Sequence, residues 1–170
     1  MANSSGIGIE RLGFLLVETA RAWRYCLDQR LKPLGLSMGK WTTLAHLAWG
    51  ADKLTQKEVA ARVGIEEPTL VGILDRLQQD GWVSRKCHPE DRRCKTVHLE
   101  PGAAGVIENI FSTAKELRHE LIADIPMRDL EKCIDVLSKI RHRAELLANE
   151  NVQTATERRN GSGGLKPAHR

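Results

Sequence analysis

Between Val83 and Val97 the sequence places Arg85, Lys86, Arg92, Arg93 and Lys95 against only Glu90 and Asp91. Cations gathered on one short segment are suited to the closely spaced negative charges of a polyanion. Just before it, "EEPTLVGILDRLQQDGW" (Glu66 to Trp82) carries Thr69, Gly72 and Arg76 at i, i+3 and i+7, a helical face of small or polar residues that can approach a surface closely. Other chemically capable groups are dispersed. Cys26, Cys87, Cys94 and Cys133 are scattered and form no disulfide framework, so reduced thiols are expected. Cys87, His88, Cys94 and His98 supply zinc-binding atoms without a recognised structural spacing, so neither metal nor cofactor is expected. A glycine-rich phosphate loop, a nucleophile elbow and a paired-carboxylate pattern are all missing, which argues against an enzyme.

The elements that must position these residues follow from hydrophobic spacing. With 170 residues, 41% of them hydrophobic, one globular domain is the simplest reading, and the formal charge of +4 gains meaning only from its concentration after Val83. From Ile9 to Leu31, Leu12, Leu15, Leu16, Ala20, Trp23, Leu27 and Leu31 form a helical stripe, ended by Pro33 and Gly35. A second helix is predicted from Met38 to about Trp49, capped by Ser37, with Trp41, Leu44, Leu47 and Ala48 inward. In "LTQKEVAARVG", Thr55 and Glu58 have capping-box spacing, and Leu54 and Val59 that of a hydrophobic staple. Gly64 ends this short helix, and Pro68 sits in the first turn of the next, where its missing N–H costs nothing. That next helix buries Leu70, Leu74 and Leu77, flanked by Val71 and Ile73, and stops at Gly81.

Trp82 to Lys86 and Lys95 to Leu99 are β-inclined, so a hairpin with a long basic tip, "CHPEDRRC", is predicted. From Ala103, helical spacing returns at Val106, Ile107, Ile110, Phe111, Ala114, Leu117 and Leu121. After Ile125 and Pro126 it resumes at Leu130, Ile134, Leu137, Ile140, Ala144 and Leu147. Residues 150–170 are polar and glycine-rich, and a disordered tail is expected there. No stretch reaches about 18 apolar residues, and the N-terminus lacks a basic start and a cleavage site, so a cytoplasmic chain without membrane contact is expected.

A capped short helix, a glycine turn, a second helix with a small polar outer face and a basic hairpin make a winged helix-turn-helix. The fold class expected is mainly α with a small β-hairpin wing. The second helix would lie in the major groove of double-stranded DNA, and arginines on the wing tip suit a narrow minor groove. The competing reading is a helical protein-interaction module without DNA binding, which leaves the wing arginines unexplained.

"EEPTLVGILDRLQQDGWVSRKCHPEDRRCKTVHL" resembles the recognition helix and wing of the MarR family of bacterial transcription regulators, above all in "DRR". "RAWRYCLDQRLKPLGLSMGKW" is similar to the N-terminal region of the family's SlyA branch, and the resemblance spans roughly Ile9 to Leu147. It implies a homodimer through interleaved N- and C-terminal helices (9–35 and 101–149) around a DNA-binding region (36–100), reading a pseudo-palindromic operator. The stripes agree independently, since the first helix and the last two carry more leucine and isoleucine than a monomer of this size easily covers.

Carried over by position, the resemblance puts Pro68 and Thr69 at the major groove and Arg92 at the minor groove, with Asp91 and Arg93 supporting the wing. Thr55 and Gln56 stand at a helix N-terminus near phosphate. Arg85 and Lys95 add charge. Where the SlyA branch has a base-reading arginine this chain has Gly72, which shifts the reading of bases toward Thr69, Arg76 or DNA shape. Family members commonly bind small aromatic acids, some as thioesters, and are released from DNA. Arg21 and Trp41 match pocket positions of the SlyA branch and Trp23 is close in sequence, although both tryptophans also fall on apolar helical faces. An arginine would pair a carboxylate, and an indole would pack on a ring. His46 matches no such position and reads as structural. The resemblance also admits a redox-sensing repressor through Cys26 or the Cys87/Cys94 pair, whose cationic neighbours favour thiolates.

Overall fold

The computed structural model describes residues 8–50, 54–87 and 94–161. They belong to two compact units that divide after Leu121. The first contains α1 (Leu12–Leu31), a 3-10 turn (Lys32–Leu34), α2 (Met38–Trp49), β1 (Leu54–Thr55), α3 (Gln56–Val63), α4 (Glu67–Gln79), β2 (Val83–Cys87), β3 (Lys95–Leu99) and α5 (Ala104–Leu121). The second contains α6 (Met127–Gly161).

Local signals set most boundaries. Pro33 stands in the 3-10 turn, and Gly35, at φ +74°, donates its N–H to the Lys32 carbonyl at 3.0 Å. This left-handed conformation strains any residue with a Cβ. Ser37 occupies the N-cap of α2 with extended backbone, but its hydroxyl makes no capping bond. The capping box of α3 is complete: Thr55 Oγ1 accepts from Glu58 N–H at 3.2 Å, and the Thr55 N–H donates to Glu58 Oε2 at 2.7 Å. Leu54 and Val59 are both buried, as a staple requires.

One core joins the whole first unit. Leu27 and Leu31 of α1, Trp41, Leu44 and Leu47 of α2, Val59 of α3, Leu70, Leu74 and Leu77 of α4, Val83 and Val97 of the hairpin, and Ile110 and Leu117 of α5 form a single buried cluster. Thr43 and Ala45 join the buried side of α2, whereas Ala48 is half-buried. The core thus runs on from α1 into the residues that follow position 35. Bidentate pairing of Arg30 with Glu120 ties α1 to α5; the guanidinium holds the Glu120 carboxyl below its ordinary range.

The expected hairpin is present, with Val83 opposite Leu99 through Cys87 opposite Lys95. β1 adds a strand that the periodicity did not announce, giving the antiparallel order β1-β3-β2 with Leu54 opposite Val97. Two residues are too few to show alternation. The other departure is at the C-terminus, where α6 continues to Gly161 and residues 150–161 of the expected disordered tail are helical. Extending an existing helix costs far less than nucleating one, and nothing interrupts it before Gly161.

Much of the remaining apolar surface is exposed. Leu12, Leu15 and Val17 on α1, and Ile134, Leu137, Ile140 and Leu147 on α6, all face solvent in the single chain.

Replacing Thr55 removes one half of the capping box without touching the core. Thr55→Ala should lower unfolding free energy by about 1 kcal/mol, measured by chemical denaturation, with the far-UV spectrum unchanged.

Candidate nucleic-acid interface

Gly64 makes the turn between α3 and α4: at φ +76° it donates its N–H to the Ala60 carbonyl at 2.9 Å, and Ile65 donates to the same oxygen at 3.0 Å. Helix α4 then begins with Pro68 in its first turn. Leu70, Leu74 and Leu77 have no exposed surface. Their burial fixes the rotation of α4, and Thr69 and Arg76 are exposed on its outer side. A Cβ built on Gly72 meets nothing within 4 Å, so packing does not require glycine there. Glu66 and Glu67 are also exposed at this end. They complement the positive end of the helix dipole, so attraction to an anionic partner has to come from other groups.

Lys86 and Lys95 are exposed on the hairpin. Asp91, Arg92 and Arg93 lie outside the described residues. Arg85, expected among the DNA-contacting cations, is hydrogen-bonded to α4: it donates through a terminal nitrogen to Asp75 Oδ1 at 2.6 Å and through Nε to Gln78 Oε1 at 3.0 Å. Asp75 and Gln78, three residues apart on the helix, thus hold the root of the wing. Thr55 and Gln56 are half-buried. The Thr55 hydroxyl is engaged with Glu58, and Gln56 Oε1 is buried without a protein partner.

The candidate effector residues differ in exposure. Trp41 is buried, and its indole N–H donates to Asp28 Oδ1 at 3.3 Å. Trp23 is half-buried against the core, and Arg21 is exposed. A cleft of about 340 Å³ is lined by Asp28, Lys32, Gly35, Leu36, Ser37 and Met38, where the end of α1 meets the start of α2. Trp41 reaches this cleft through Asp28. His46 packs edge-on to Trp49 at 6.5 Å between ring centroids, and burial, with the charge of Arg62, pushes its pKa below 6.5. That is the setting of a structural histidine.

The cysteines fall in different environments: Cys26 is half-buried on the core, and Cys87 is exposed. The register places Lys95, not Cys94, opposite Cys87. Among the described residues no group of three His, Cys, Asp or Glu side chains is placed to hold a metal ion.

The profile of the MarR family matches residues 36–95, the stretch holding α2, both helices of the turn and the first half of the wing. The solved transcriptional regulator PA3341 is 42% identical, covers 79% of this chain and 98% of its own, and superposes with a TM-score of 0.73. This chain belongs to the MarR family. Apo MarR from E. coli is 25% identical over 76% of this chain and 96% of its own, with a TM-score of 0.67. CouR from Rhodococcus jostii RHA1, solved with p-coumaroyl-CoA bound, is 25% identical over 76% and 90%, with a TM-score of 0.65. The MarR-family fold accounts for the winged helix described above, and membership makes the chain a transcriptional regulator. Among the described residues no helix is long and apolar enough to cross a membrane.

The Asp75 and Gln78 partners of Arg85 were missed in the sequence because they are seven to ten residues away and in a different type of element. The available signal was indirect, an acid and an amide at i and i+3 on a helix that precedes a basic strand. A double-mutant cycle on Arg85→Ala and Asp75→Ala should give a coupling of about 0.5–1 kcal/mol in folding stability, as for a partly exposed pair. Gly72→Ala should stabilise the fold by about 0.5–1 kcal/mol, since alanine is the better helix former and meets no neighbour; a loss of stability in denaturant unfolding would show that the site is not open.

Proposed function

We propose that this chain is a homodimeric, sequence-specific DNA-binding repressor that covers a pseudo-palindromic operator and is released by a small aromatic carboxylate or a related thioester. The observation that carries the DNA-binding reading is the rotation of α4. Three leucines without exposed surface turn Thr69, Gly72 and Arg76 outward, from a helix that leads directly into a basic hairpin. Thr69 and Arg76 then read bases from the major groove, with Pro68 at the groove edge and Gly72 permitting close approach. Arg92 enters the minor groove, and Arg93 and Lys95 supply phosphate charge. Arg85 acts as the brace between wing and helix.

The dimer reading rests on the exposed leucines and isoleucines of α1 and α6, which a second copy would cover. Two lobes related by a twofold axis would meet half-sites on the order of 34 Å apart. The effector reading rests on the cleft beside Asp28 and on CouR, whose bound thioester shows what one relative accommodates. Lys32 offers the cleft a cation for a carboxylate, and Trp41, linked to its wall, supports the ring-facing side. The "RAWRYCLDQRLKPLGLSMGKW" stretch favours the SlyA-like branch, and a transcriptional regulator acts where the DNA is, in the cytoplasm.

Binding to the DNA upstream of the chain's own gene, followed by fluorescence anisotropy across a salt series, tests this reading. Arg92→Ala should weaken binding to every sequence and lower the slope of log affinity against log salt by about one. Thr69→Ala should change relative affinities for single-base operator variants by about 1 kcal/mol or more. Aromatic carboxylates and their coenzyme A thioesters, added in turn, should include one that abolishes binding. An operator footprint that neither substitution alters would refute the assignment of recognition helix and wing.

A further inference from the structure

The C-terminal end of α4 is built in a way that helix electrostatics disfavours. Asp80 is its C-cap, with its backbone N–H bonded to the Arg76 and Gln78 carbonyls. The carboxylate therefore stands at the negative end of the helix dipole, where an anion is unfavourable and a cation is welcome. The cation is supplied by a different helix. Lys40 of α2 places Nζ 2.6 Å from Asp80 Oδ2 and 5.4 Å from the centroid of the Trp82 ring. One ammonium thus meets both the carboxylate at the C-cap of α4 and an indole face. In a chain with a basic excess this lysine is turned inward, its side chain only 18% exposed.

Trp82 is in turn fixed on both sides. Its N–H donates to the Leu77 carbonyl at 2.9 Å, and its carbonyl accepts from Glu100 N–H at 3.0 Å, immediately before β2 begins at Val83. Trp82 is therefore the joint between recognition helix and wing. Gly39, the neighbour of Lys40, packs so closely on α4 that a Cβ there would lie 2.8 Å from Ile73 Cδ1. Two consecutive residues of α2 thus touch α4 at its middle and at its end.

We propose that Lys40 is a positioning residue for DNA recognition: by holding Asp80 and Trp82 against α2, it keeps recognition helix and wing in one relative orientation. The proposal rests on the DNA-binding reading above, and its role is distinct from phosphate contact. Full-length Lys40→Met, Lys40→Arg and Asp80→Asn are compared with the parent chain, with Trp82→Phe used to assign the Trp82 part of the emission.

In Lys40→Met and Asp80→Asn the Trp82 emission should shift to longer wavelength. The amides of Asp80, Gly81 and Trp82 should exchange faster relative to those of Val59 and Ala60 in α3. Operator affinity should fall about fivefold with the salt slope unchanged, and Lys40→Arg should restore all three. Unchanged emission and exchange would overturn the proposal, as would acceleration of equal size throughout the fold, which marks a general stability effect. A salt slope lowered by about one would make Lys40 a direct phosphate contact. A parent chain that binds no DNA would defeat the functional reading, while emission and exchange would still decide whether Lys40 holds the helix end.

Discussion

Burial of Leu70, Leu74 and Leu77 is the constraint on which the interface depends. All three lack exposed surface, and they recur at i, i+4 and i+7. Each buried leucine contributes on the order of 1.5–3 kcal/mol, whereas a partly exposed ion pair contributes at most about 1 kcal/mol. The leucines therefore decide which side of α4 faces inward, and no polar contact on the outer side competes. A shift of one residue would turn the helix by about 100° and bring Val71 inward in place of Leu70. The face holding Thr69 and Arg76 is presented because the opposite face has no alternative.

With the rotation set by apolar burial, the ion pairs determine angle and position. Arg85 joins β2 to Asp75 and Gln78, and Lys40 joins α2 to Asp80 and Trp82. Arg30 joins α1 to α5 through Glu120. None of these pairs is buried deeply enough to matter much to stability. Each nevertheless spans two elements that a binding surface needs held in register. Lys86 and Lys95 stand outward on the hairpin, whereas Arg30, Lys40 and Arg85 are engaged in bracing.

This division explains what could be read from the sequence. The helices, the glycine turns, the capping box and the two strands of the hairpin were legible because each follows from residues within about four positions of one another. The outward face of α4 was legible for the same reason, through the spacing of its leucines. Arg85 was not, because a cation on a basic strand looks the same whether it faces solvent or Asp75. Lys40 carried no signal at all, as its partners lie forty residues on. The strand at Leu54 and Thr55 exists only because Val97 and Thr96 lie beside it, and α6 runs on to Gly161 although residues 150–161 have no apolar stripe to announce it.

The exposed apolar side chains of α1 and the cleft beside its C-terminal end lie at opposite ends of one helix. Only Leu27 and Leu31 of α1 are buried, and both lie in its last turns. The earlier turns carry Leu12 and Leu15 outward, and on the proposed reading a second copy covers them. The last turns have a different neighbour: Asp28 and Lys32 form one wall of the cleft, and Met38, at the start of α2, forms another. One residue beyond Met38, Gly39 abuts Ile73, and Lys40 follows with its hold on Asp80. A molecule bound in the cleft would thus press on the helix proposed to set the dimer and on the turn that grips the recognition helix. An effector with different affinity for two placements of that turn would shift the population between them, by no more than that difference in affinity.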